Sequence, residues 1–399
     1  MTGRSGARWL AALAVAGTLL GAAPAAAAQS AGAEQRAAAL ARPAVVVVEV
    51  RWHGWVRDPR TDELFGGAEG YRVTSSCTGF AVHADGHLVT AGHCVDSGPE
   101  GAGEILFGLA ADELVAVGRA ADRDRAVAEL AEHAVVEGAE DGSPVRREVL
   151  VHRGVAYDGE TLDDTLPAEV VDVAPVSEGD VAVLAVARGR LSALALAADA
   201  DLPVGTEVLA VGYPGSANRI SDPTLEPSVK DGLVSNRRTV DGVPFYEVSA
   251  AATGGMSGGP VVDHDGRVVG LVSHGPADES QAFNFVAAGS SIVEVLDRNG
   301  VPHGLGPIDR NFRAGLERYF DGRPAEATVY FDAVIEASPT HLQAAELRRQ
   351  VPEAGPVAAR GGVDPLVGWA VGAGGVAVAA ALAAGTLLLV RLSSPPPAR

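Results

Sequence analysis

This 399-residue sequence is poor in positive charge and in cysteine, and two of its stretches lack charge altogether. Lysine and arginine together number 31 against 51 aspartates and glutamates, which gives a formal net charge of −20. Such a surface repels nucleic acid, so we do not expect DNA or RNA as a partner. The same charge disfavours anionic lipid headgroups, so any contact with a membrane has to come from apolar segments.

The first stretch without charge lies close to the N-terminus. Arg4 and Arg8 precede the apolar run 9–20, and residues 26–28 are small. A basic start, an apolar run and a small-residue cleavage site are typical of a secretory signal peptide. We therefore predict a signal peptide at residues 1–28, cleavage near Ala28 and export of the remainder.

The second stretch without charge lies near the other end of the sequence, at residues 366–390. As a helix it would be about 37 Å long, against about 30 Å for the hydrocarbon core of a bilayer. A buried amphipathic helix, which is the alternative, would need a polar stripe that this segment lacks. We predict a transmembrane helix here, preceded by a linker at 351–365 and followed by a cytoplasmic tail at 391–399.

The sequence has only two cysteines, Cys77 and Cys94. In an exported protein an even count favours a disulfide, which would stabilise the fold by about 3 kcal/mol. A zinc site that adds His83 and His87 to the two cysteines is the alternative. These histidines flank residues 85–86, an Asp-Gly pair typical of a tight hairpin turn, so we prefer the disulfide and predict no metal.

Residues 253–260 place one serine among four glycines, at a point where apolar strands end. Glycine reaches backbone angles that other residues avoid, so consecutive N–H groups can face one point. A serine hydroxyl beside two such amides has what acyl transfer needs, a nucleophile and donors for the oxyanion. We predict Ser257 as the nucleophile and the amides of Gly255 and Ser257 as the donors.

A serine nucleophile needs a base, and His93 stands in a suitable context. It follows the strand-like stretch 79–91, while Asp180 opens another apolar strand at 181–186. Histidine, aspartate and serine in this chain order form one of the known arrangements of the catalytic triad. Asp172 is a rival candidate for the aspartate.

These segments resemble the chymotrypsin-like serine proteases, most closely the bacterial high-temperature-requirement (HtrA/Deg) type, over about 73–95 and 176–292. The resemblance implies a mainly β domain at 44–300, with two six-stranded antiparallel barrels and the active site in the cleft between them. It also implies that Ser257 attacks the substrate, His93 transfers the proton and Asp180 orients His93, with no cofactor. No PDZ segment is visible, which departs from the HtrA type.

The resemblance also implies a specificity pocket. Matching motif positions place Ala251 at its base, a wall at 273–275 and Asn284 near its rim; the wall residues are Ser273, His274 and Gly275. Because no acid lies at the base, we expect small or apolar substrate side chains there. Met256 stands where digestive relatives have an aspartate, so activation through an ion pair with a new N-terminus is not expected.

The remaining segments carry weaker patterns. Residues 29–43 read as a polar, Ala-rich lead, and two hairpins are predicted with turns at 85–86 and 265–266. Residues 97–172 are the least regular, and we predict a barrel with a helical insertion at 120–133 and a charged loop at 137–147.

Residues 307–350 carry apolar residues at helical spacing and predict a helical hairpin. Part of the spacing is that of a single tetratricopeptide repeat, and one such repeat cannot bury its face alone. The pair would therefore pack on the protease domain, bind a partner or self-associate, or form a plain hairpin.

Two functions follow from these patterns. The first is a membrane-anchored extracytoplasmic serine endopeptidase that acts on polypeptides. The second is an anchored binding or scaffold protein with a silent protease fold, and a latent protease regulated by the helical hairpin is a third version. The complete candidate triad favours the first.

Overall fold

The computed structural model describes residues 23–158, 160–197, 201–215, 225–275 and 283–351. Residues 1–22 of the predicted signal peptide, the linker beyond residue 351, the predicted membrane helix 366–390 and the tail lie outside these ranges. Among the helices of the described residues, none has both the length and the hydropathy needed to cross a membrane.

The first part of the described chain is rich in strands. In order, its main elements are α1 Ala23–Ala41, β1 Val45–Asp58, β2 Glu63–Phe65, β3 Tyr71–His83, β4 His87–Thr90, α2 Gly92–Val95, α3 Glu104–Ala116, α4 Arg123–His133, β5 Val135–Glu137, β6 Arg146–Tyr157, β7 Glu160–Ala174 and β8 Val181–Val186. The predicted lead at 29–43 is thus mostly helix α1. The first strand begins one residue after residue 44, the predicted start of the β domain.

Strand β1 organises the first sheet. It opens with four consecutive valines, whose β-branched side chains favour extended backbone. It pairs with β3 on one side and with β6 on the other, and the path runs β1, β3, β4, β8, β7, β6. Because β6 returns to β1, these six strands close an antiparallel barrel, as predicted for this half.

The second part of the described chain forms another sheet and then helices. Its elements are β9 Ala195–Leu196, β10 Glu207–Gly212, β11 Ser228–Val240, β12 Val243–Val248, β13 Pro260–Val262, β14 Arg267–Val272, β15 Asn284–Ala288, α5 Gly289–Arg298, α6 Pro307–Phe320, α7 Pro324–Ala337 and α8 Leu342–Gln350. The sheet order is β13, β10, β11, β12, β15, β14, β9, and its end strands β13 and β9 do not pair with each other among the described residues. Of the two six-stranded barrels that were predicted, the first is shown in that form, whereas the second half forms a seven-stranded sheet. The three-residue strand β13 pairs with both β10 and β14.

Both predicted hairpins are present, as β3–β4 and β13–β14. Gly86 in the first turn has a φ of +109°, and a Cβ there would lie 2.4 Å from the Val186 carbonyl oxygen. Only glycine fits this turn, because both the left-handed backbone and the close approach exclude a side chain.

Residues 97–172 are more regular than predicted. Helix α4 falls within the expected helical insertion, but α3 precedes it, and β6 and β7 form a long antiparallel hairpin. Few residues of β7 are fully buried and several are charged, so its sequence carries little of the apolar pattern that predicts strands. Strand β7 is instead held in extended form by its backbone pairing with β6 and β8.

The predicted helical hairpin is present as α6 and α7 and is extended by α8. It packs on the rest of the unit: Leu40 of α1 belongs to the same small core as Phe312, Leu316 and Phe331. Arg313 Nη1 of α6 also donates to the Asp265 carbonyl oxygen, at 2.6 Å, in the turn between β13 and β14. The helical hairpin thus packs on the strand-rich part of the chain, which is one of the three predicted arrangements.

Candidate active site

His93 lies where the first barrel ends. Strand β4 stops at Thr90, and after Ala91 the chain turns into the short helix α2. A Cβ at Gly92 would lie 2.2 Å from the Ala174 carbonyl oxygen, so this turn requires glycine. The turn places the half-buried imidazole of His93 at the edge of a cleft.

Asp180 faces His93 from the loop before β8. Its φ is +54°, an uncommon backbone for a residue with a side chain and one that concentrates at functional sites. The buried carboxylate oxygens lie 3.0 and 3.1 Å from His93 Nδ1, and Oδ1 accepts the backbone N–H of His93 at 2.9 Å. The Ser273 hydroxyl also donates to Oδ2.

The rival aspartate has other partners. Asp172 on β7 accepts hydrogen bonds from Arg298 Nε at 2.8 Å and from Asn299 Nδ2 at 2.6 Å, at the end of helix α5. Its role is therefore to link a strand to a helix. The structure places Asp180, and not Asp172, against His93.

The two partners shift each other's pKa. Burial acts to lower the pKa of the His93 imidazole, but the charge and hydrogen bond of Asp180 outweigh burial and raise this pKa above its ordinary value. Burial acts to raise the pKa of Asp180, but the attraction of the His93 cation and the hydrogen bonds hold it below its ordinary value. Asp180 is therefore ionised at neutral pH, and His93 is a stronger base than a free imidazole.

Ser257 reaches the same cleft from the glycine-rich loop before β13. Its hydroxyl donates to the Ser273 carbonyl oxygen at 3.2 Å, and its own carbonyl oxygen accepts the Thr78 N–H at 2.8 Å. The next residue, Gly258, has a φ of +82°, and a Cβ there would lie 2.2 Å from the Thr78 carbonyl oxygen. The loop is thus held against strand β3 of the first barrel, close to the segment that carries His93.

The amides predicted as oxyanion donors lie on the same loop. Gly255 has a φ of +95°, and a Cβ there would lie 2.6 Å from the Tyr213 carbonyl oxygen, so this position also requires glycine. In the described part of the chain, the N–H groups of Gly255 and Ser257 donate to no backbone carbonyl. Two unused donors beside a serine hydroxyl suit an oxyanion.

The cleft that joins these groups has a volume of about 680 Å³. Its lining includes both His93 and Ser257, with apolar walls and two acidic residues; the remaining lining residues are Glu100, Glu104, Val176, Ala252, Thr253, Gly254, Val272, Ser273, His274, Gly275, Phe283 and Asn284. A cleft of this size accommodates side chains of a peptide on either side of the reacting bond.

The predicted specificity residues are placed unevenly. Ala251 is exposed and does not line the cleft, whose wall at this point is the next residue, Ala252. Asn284 does line the cleft, and its buried Nδ2 donates to the Ala250 carbonyl oxygen at 2.7 Å.

Ser273 and His274 also line the cleft, but the structure adds a contact that the pocket prediction missed. The Ser273 side chain is buried, and its hydroxyl donates to Asp180. Its separation of 93 residues from Asp180 leaves no local pattern that could have revealed this contact.

The two cysteines form a disulfide between β3 and α2, with a Cα–Cα distance of 6.3 Å. Cys94 Sγ lies 3.7 Å from His93 Nε2, so the bridge borders the imidazole. Because Cys77 and Cys94 are bonded to each other, neither offers a thiolate, and the zinc alternative loses two of its ligands.

The chain is similar to known serine proteases. Residues 77–271 match the family model described as "Trypsin-like peptidase domain". The chain is 34% identical over 143 residues to "Probable periplasmic serine endoprotease DegP-like" of Halomonas elongata, covering 35% of this chain and 25% of that protein. It is 32% identical over 116 residues to "Serine protease HTRA1" of Xenopus tropicalis, covering 29% and 24% respectively.

A mycobacterial relative and two solved structures are also similar. "Serine protease Rv3671c" of Mycobacterium tuberculosis is 28% identical over 150 residues, 36% of each chain. Its crystal structure in the active form covers 68% of this chain and 86% of that one at 20% identity, with a TM-score of 0.38. "HtrA-type protease AlgW with decapeptide" covers 67% of each at 19% identity, with a TM-score of 0.40.

Residues 77–271 are therefore similar to trypsin-like peptidase domains, and the relatives are of the HtrA type, which supports serine endopeptidase activity. It spans about a quarter of the length of the first two curated relatives. What those proteins do as wholes is not carried over to this chain.

Proposed function

We propose that this protein is a membrane-anchored, extracytoplasmic serine endopeptidase that cleaves polypeptides through His93, Asp180 and Ser257. The observation that carries the proposal is that His93, which contacts Asp180, shares a cleft with Ser257. His93 Nδ1 is hydrogen-bonded to the buried Asp180, and His93 and Ser257 line one cleft.

In the proposed mechanism, Asp180 holds His93 with its proton on Nδ1, which leaves Nε2 free to accept a proton. The Ser257 hydroxyl, which now donates to the Ser273 carbonyl oxygen, turns to Nε2 when substrate binds. As Oγ bonds to the scissile carbonyl carbon, its proton passes to His93. The electron pair of the C=O bond moves to oxygen, which the Gly255 and Ser257 amides stabilise.

Collapse of this intermediate breaks the C–N bond. His93 gives its proton to the leaving amine, and an acyl-enzyme on Ser257 remains. Water then attacks the ester with His93 again as the base, which releases the new carboxyl end and restores Ser257. Throughout, Asp180 stays ionised and stabilises the imidazolium that forms at His93.

Substrate choice follows from the cleft walls. Ala252, Val272 and Phe283 offer apolar surface beside Ser257. We propose small or apolar substrate side chains at this wall, as the absence of an acid at the base suggested. Glu100 and Glu104 line the side of the cleft near His93.

The location rests on the sequence alone. A basic start followed by the run 9–20 supports export, and the uncharged residues 366–390 support a membrane anchor. Fractionation of the full chain, beside a version that lacks residues 366–390, tests this part: the full chain should sediment with membranes and the shortened chain should not. Equal partition of both into the soluble fraction would contradict the anchor.

Labelling by an alkyl fluorophosphonate probe tests the catalytic part. Full-length protein in detergent should acquire one label, on the peptide that contains Ser257. The Ser257→Ala variant should acquire none, and Ser235→Ala, which removes an exposed serine on β11, should label like the wild type. An unlabelled, folded wild-type protein would favour the scaffold function instead, which the comparisons do not support.

A further inference from the structure

The carboxylate of Asp180 is linked to a second imidazole, that of His274, through the Ser273 hydroxyl. Ser273 Oγ, which donates to Asp180, lies 2.9 Å from His274 Nδ1. His274 is the last member of a row that runs His93, Asp180, Ser273, His274. Neither the family match nor the proposed mechanism assigns His274 a part in catalysis.

The protons in this row can be counted. Asp180 is ionised, so its oxygens only accept hydrogen bonds. The Ser273 hydroxyl has a single hydrogen, which it donates in a hydrogen bond to Asp180. Toward His274 the same oxygen can therefore only accept, so Nδ1 of His274 must carry a proton.

The reverse arrangement is unfavourable. If Ser273 donated to His274, its lone pairs would face the Asp180 carboxylate at hydrogen-bonding distance in a buried site, where such repulsion is weakly screened. Each hydrogen bond of the row is therefore donated in the direction of Asp180. In neutral His274 the other ring nitrogen, Nε2, then carries no proton.

The surroundings of His274 favour its neutral form. Burial lowers the pKa of His274 and the His93 cation lowers it further, against the attraction of Asp180 and Glu100. His93, which also faces Asp180, Glu104 and Glu100, has a raised pKa and gains its proton first as the pH falls. Nδ1 of His274 carries a proton in both the neutral and the cationic ring, so the row does not depend on its charge.

The ring of His274 is also fixed by packing. It contacts Phe285 at a centroid distance of 5.0 Å and Phe245 edge-on at 6.3 Å. These contacts orient the ring, and they would be kept by another aromatic side chain that has no N–H group.

We propose that His274 is a positioning residue of this protease: its Nδ1–H donates to Ser273, which in turn directs its hydroxyl onto Asp180 and so sets the base His93. The proposal rests on the proposed function of the triad. Without the His274 donor, the bond from Ser273 to Asp180 weakens, because hydrogen bonds in a row polarise one another. More of the Asp180 charge then has to be balanced by the His93 cation, so the pKa of His93 rises.

The kinetic test compares His274→Phe with His274→Asn in the full chain. Phenylalanine keeps the aromatic packing but has no donor, whereas asparagine offers an amide N–H in place of Nδ1–H and does not titrate. We expect His274→Phe to lose about tenfold in the rate of fluorophosphonate labelling and to move the acid limb of its pH profile to higher pH. His274→Asn should restore both.

The double variant Ser273→Ala/His274→Phe separates positioning from general damage. If His274 acts through Ser273, the double variant should label no more slowly than Ser273→Ala alone. Independent effects that multiply, or an acid limb that His274→Phe leaves in place, would overturn the proposal.

A measurement without turnover keeps the proposal apart from the proposed function. ¹⁵N NMR of histidine-labelled Ser257→Ala protein reports which ring nitrogen of neutral His274 carries the proton. A protonated Nδ1 supports the row, and a bare Nδ1 ends it, whether or not the wild-type protein labels at Ser257.

Discussion

His93 and Ser257 approach one cleft from opposite sheets and are held there by different means. His93 is fixed by side chains and a covalent bridge: the buried Asp180 takes hydrogen bonds from its ring and its backbone, and Cys94 beside it is bonded to Cys77. Ser257 is fixed by backbone geometry, through glycines with positive φ that admit close carbonyl contacts.

The difference separates electrostatic from steric preorganisation. The His93 side of the cleft, called the base side, depends on the buried charge of Asp180, so its function should respond to pH and to removal of that charge. The Ser257 side, called the nucleophile side, depends on close backbone contacts at its glycines, so it should respond to a single added methyl group. Four changes sharpen or break this comparison.

The largest effect is expected from Ser257→Ala. If the three residues work as a unit, peptide hydrolysis should fall about a million-fold, since the nucleophile is lost while the fold is kept. Hydrolysis of a fluorogenic peptide measures the rate, and circular dichroism checks the fold. An unchanged rate would remove Ser257 from the mechanism.

Asp180→Asn should come next. By analogy with other triads we expect a loss of about 10⁴-fold in kcat, because the amide favours the wrong tautomer of His93. The Asp180 charge raises the pKa of His93, so its loss leaves burial in control and the pKa falls. Wild-type activity should decline as the pH falls through a value above the ordinary histidine pKa, and the residual activity of the variant should persist to lower pH.

The matched control for this change is Asp172→Asn. It disturbs a contact between β7 and α5 without touching His93, so the pH profile should keep its wild-type acid limb. A shift of equal size in both variants would mean that the acid limb does not report on the Asp180–His93 pair.

Removing the bridge should weaken the base side without abolishing the chemistry. Cys77→Ala/Cys94→Ala frees a loop between residues separated by 17 positions, which we expect to cost about 3 kcal/mol of stability. Urea unfolding measures this as a lower midpoint with little change in slope. An unchanged midpoint would show that the bridge does not support this side of the site.

The smallest effect tests the nucleophile side. Gly258→Ala puts a methyl group 2.2 Å from the Thr78 carbonyl oxygen in a left-handed backbone, and should cost about 1–3 kcal/mol. Gly254→Ala is the matched control, because an added Cβ there has no heavy atom within 4 Å among the described neighbours. Thermal unfolding should separate the two variants, and equal melting temperatures would contradict steric control of the loop.

The sequence was informative where the candidate site residues lie in short local motifs. Glycines around Ser257, the turn before His93 and the strand after Asp180 are local features, and their spacing pointed to residues that the structure brings together. Both hairpins also followed from their Asp-Gly turns, whereas the closed first barrel was expected only from the family resemblance.

Other parts could not be read from the sequence. The charged strand β7 is held by its neighbours, and the third helix α8 lies beyond the expected hairpin. Ala252 lines the cleft and Ala251 does not, and which loop residue faces a cleft depends on contacts that no motif encodes. The sequence favoured Asp180 over its rival Asp172, and the contacts of the two carboxylates agree with that preference.

By itself the sequence determined the chemical groups, their order along the chain and the local backbone that presents each one, because these depend on neighbours a few residues away. Only the tertiary structure decided that Asp180 receives His93 from 87 residues away and Ser273 from 93. Such pairs form when sheets close and pack, and the free energy that selects them is spread over the whole core.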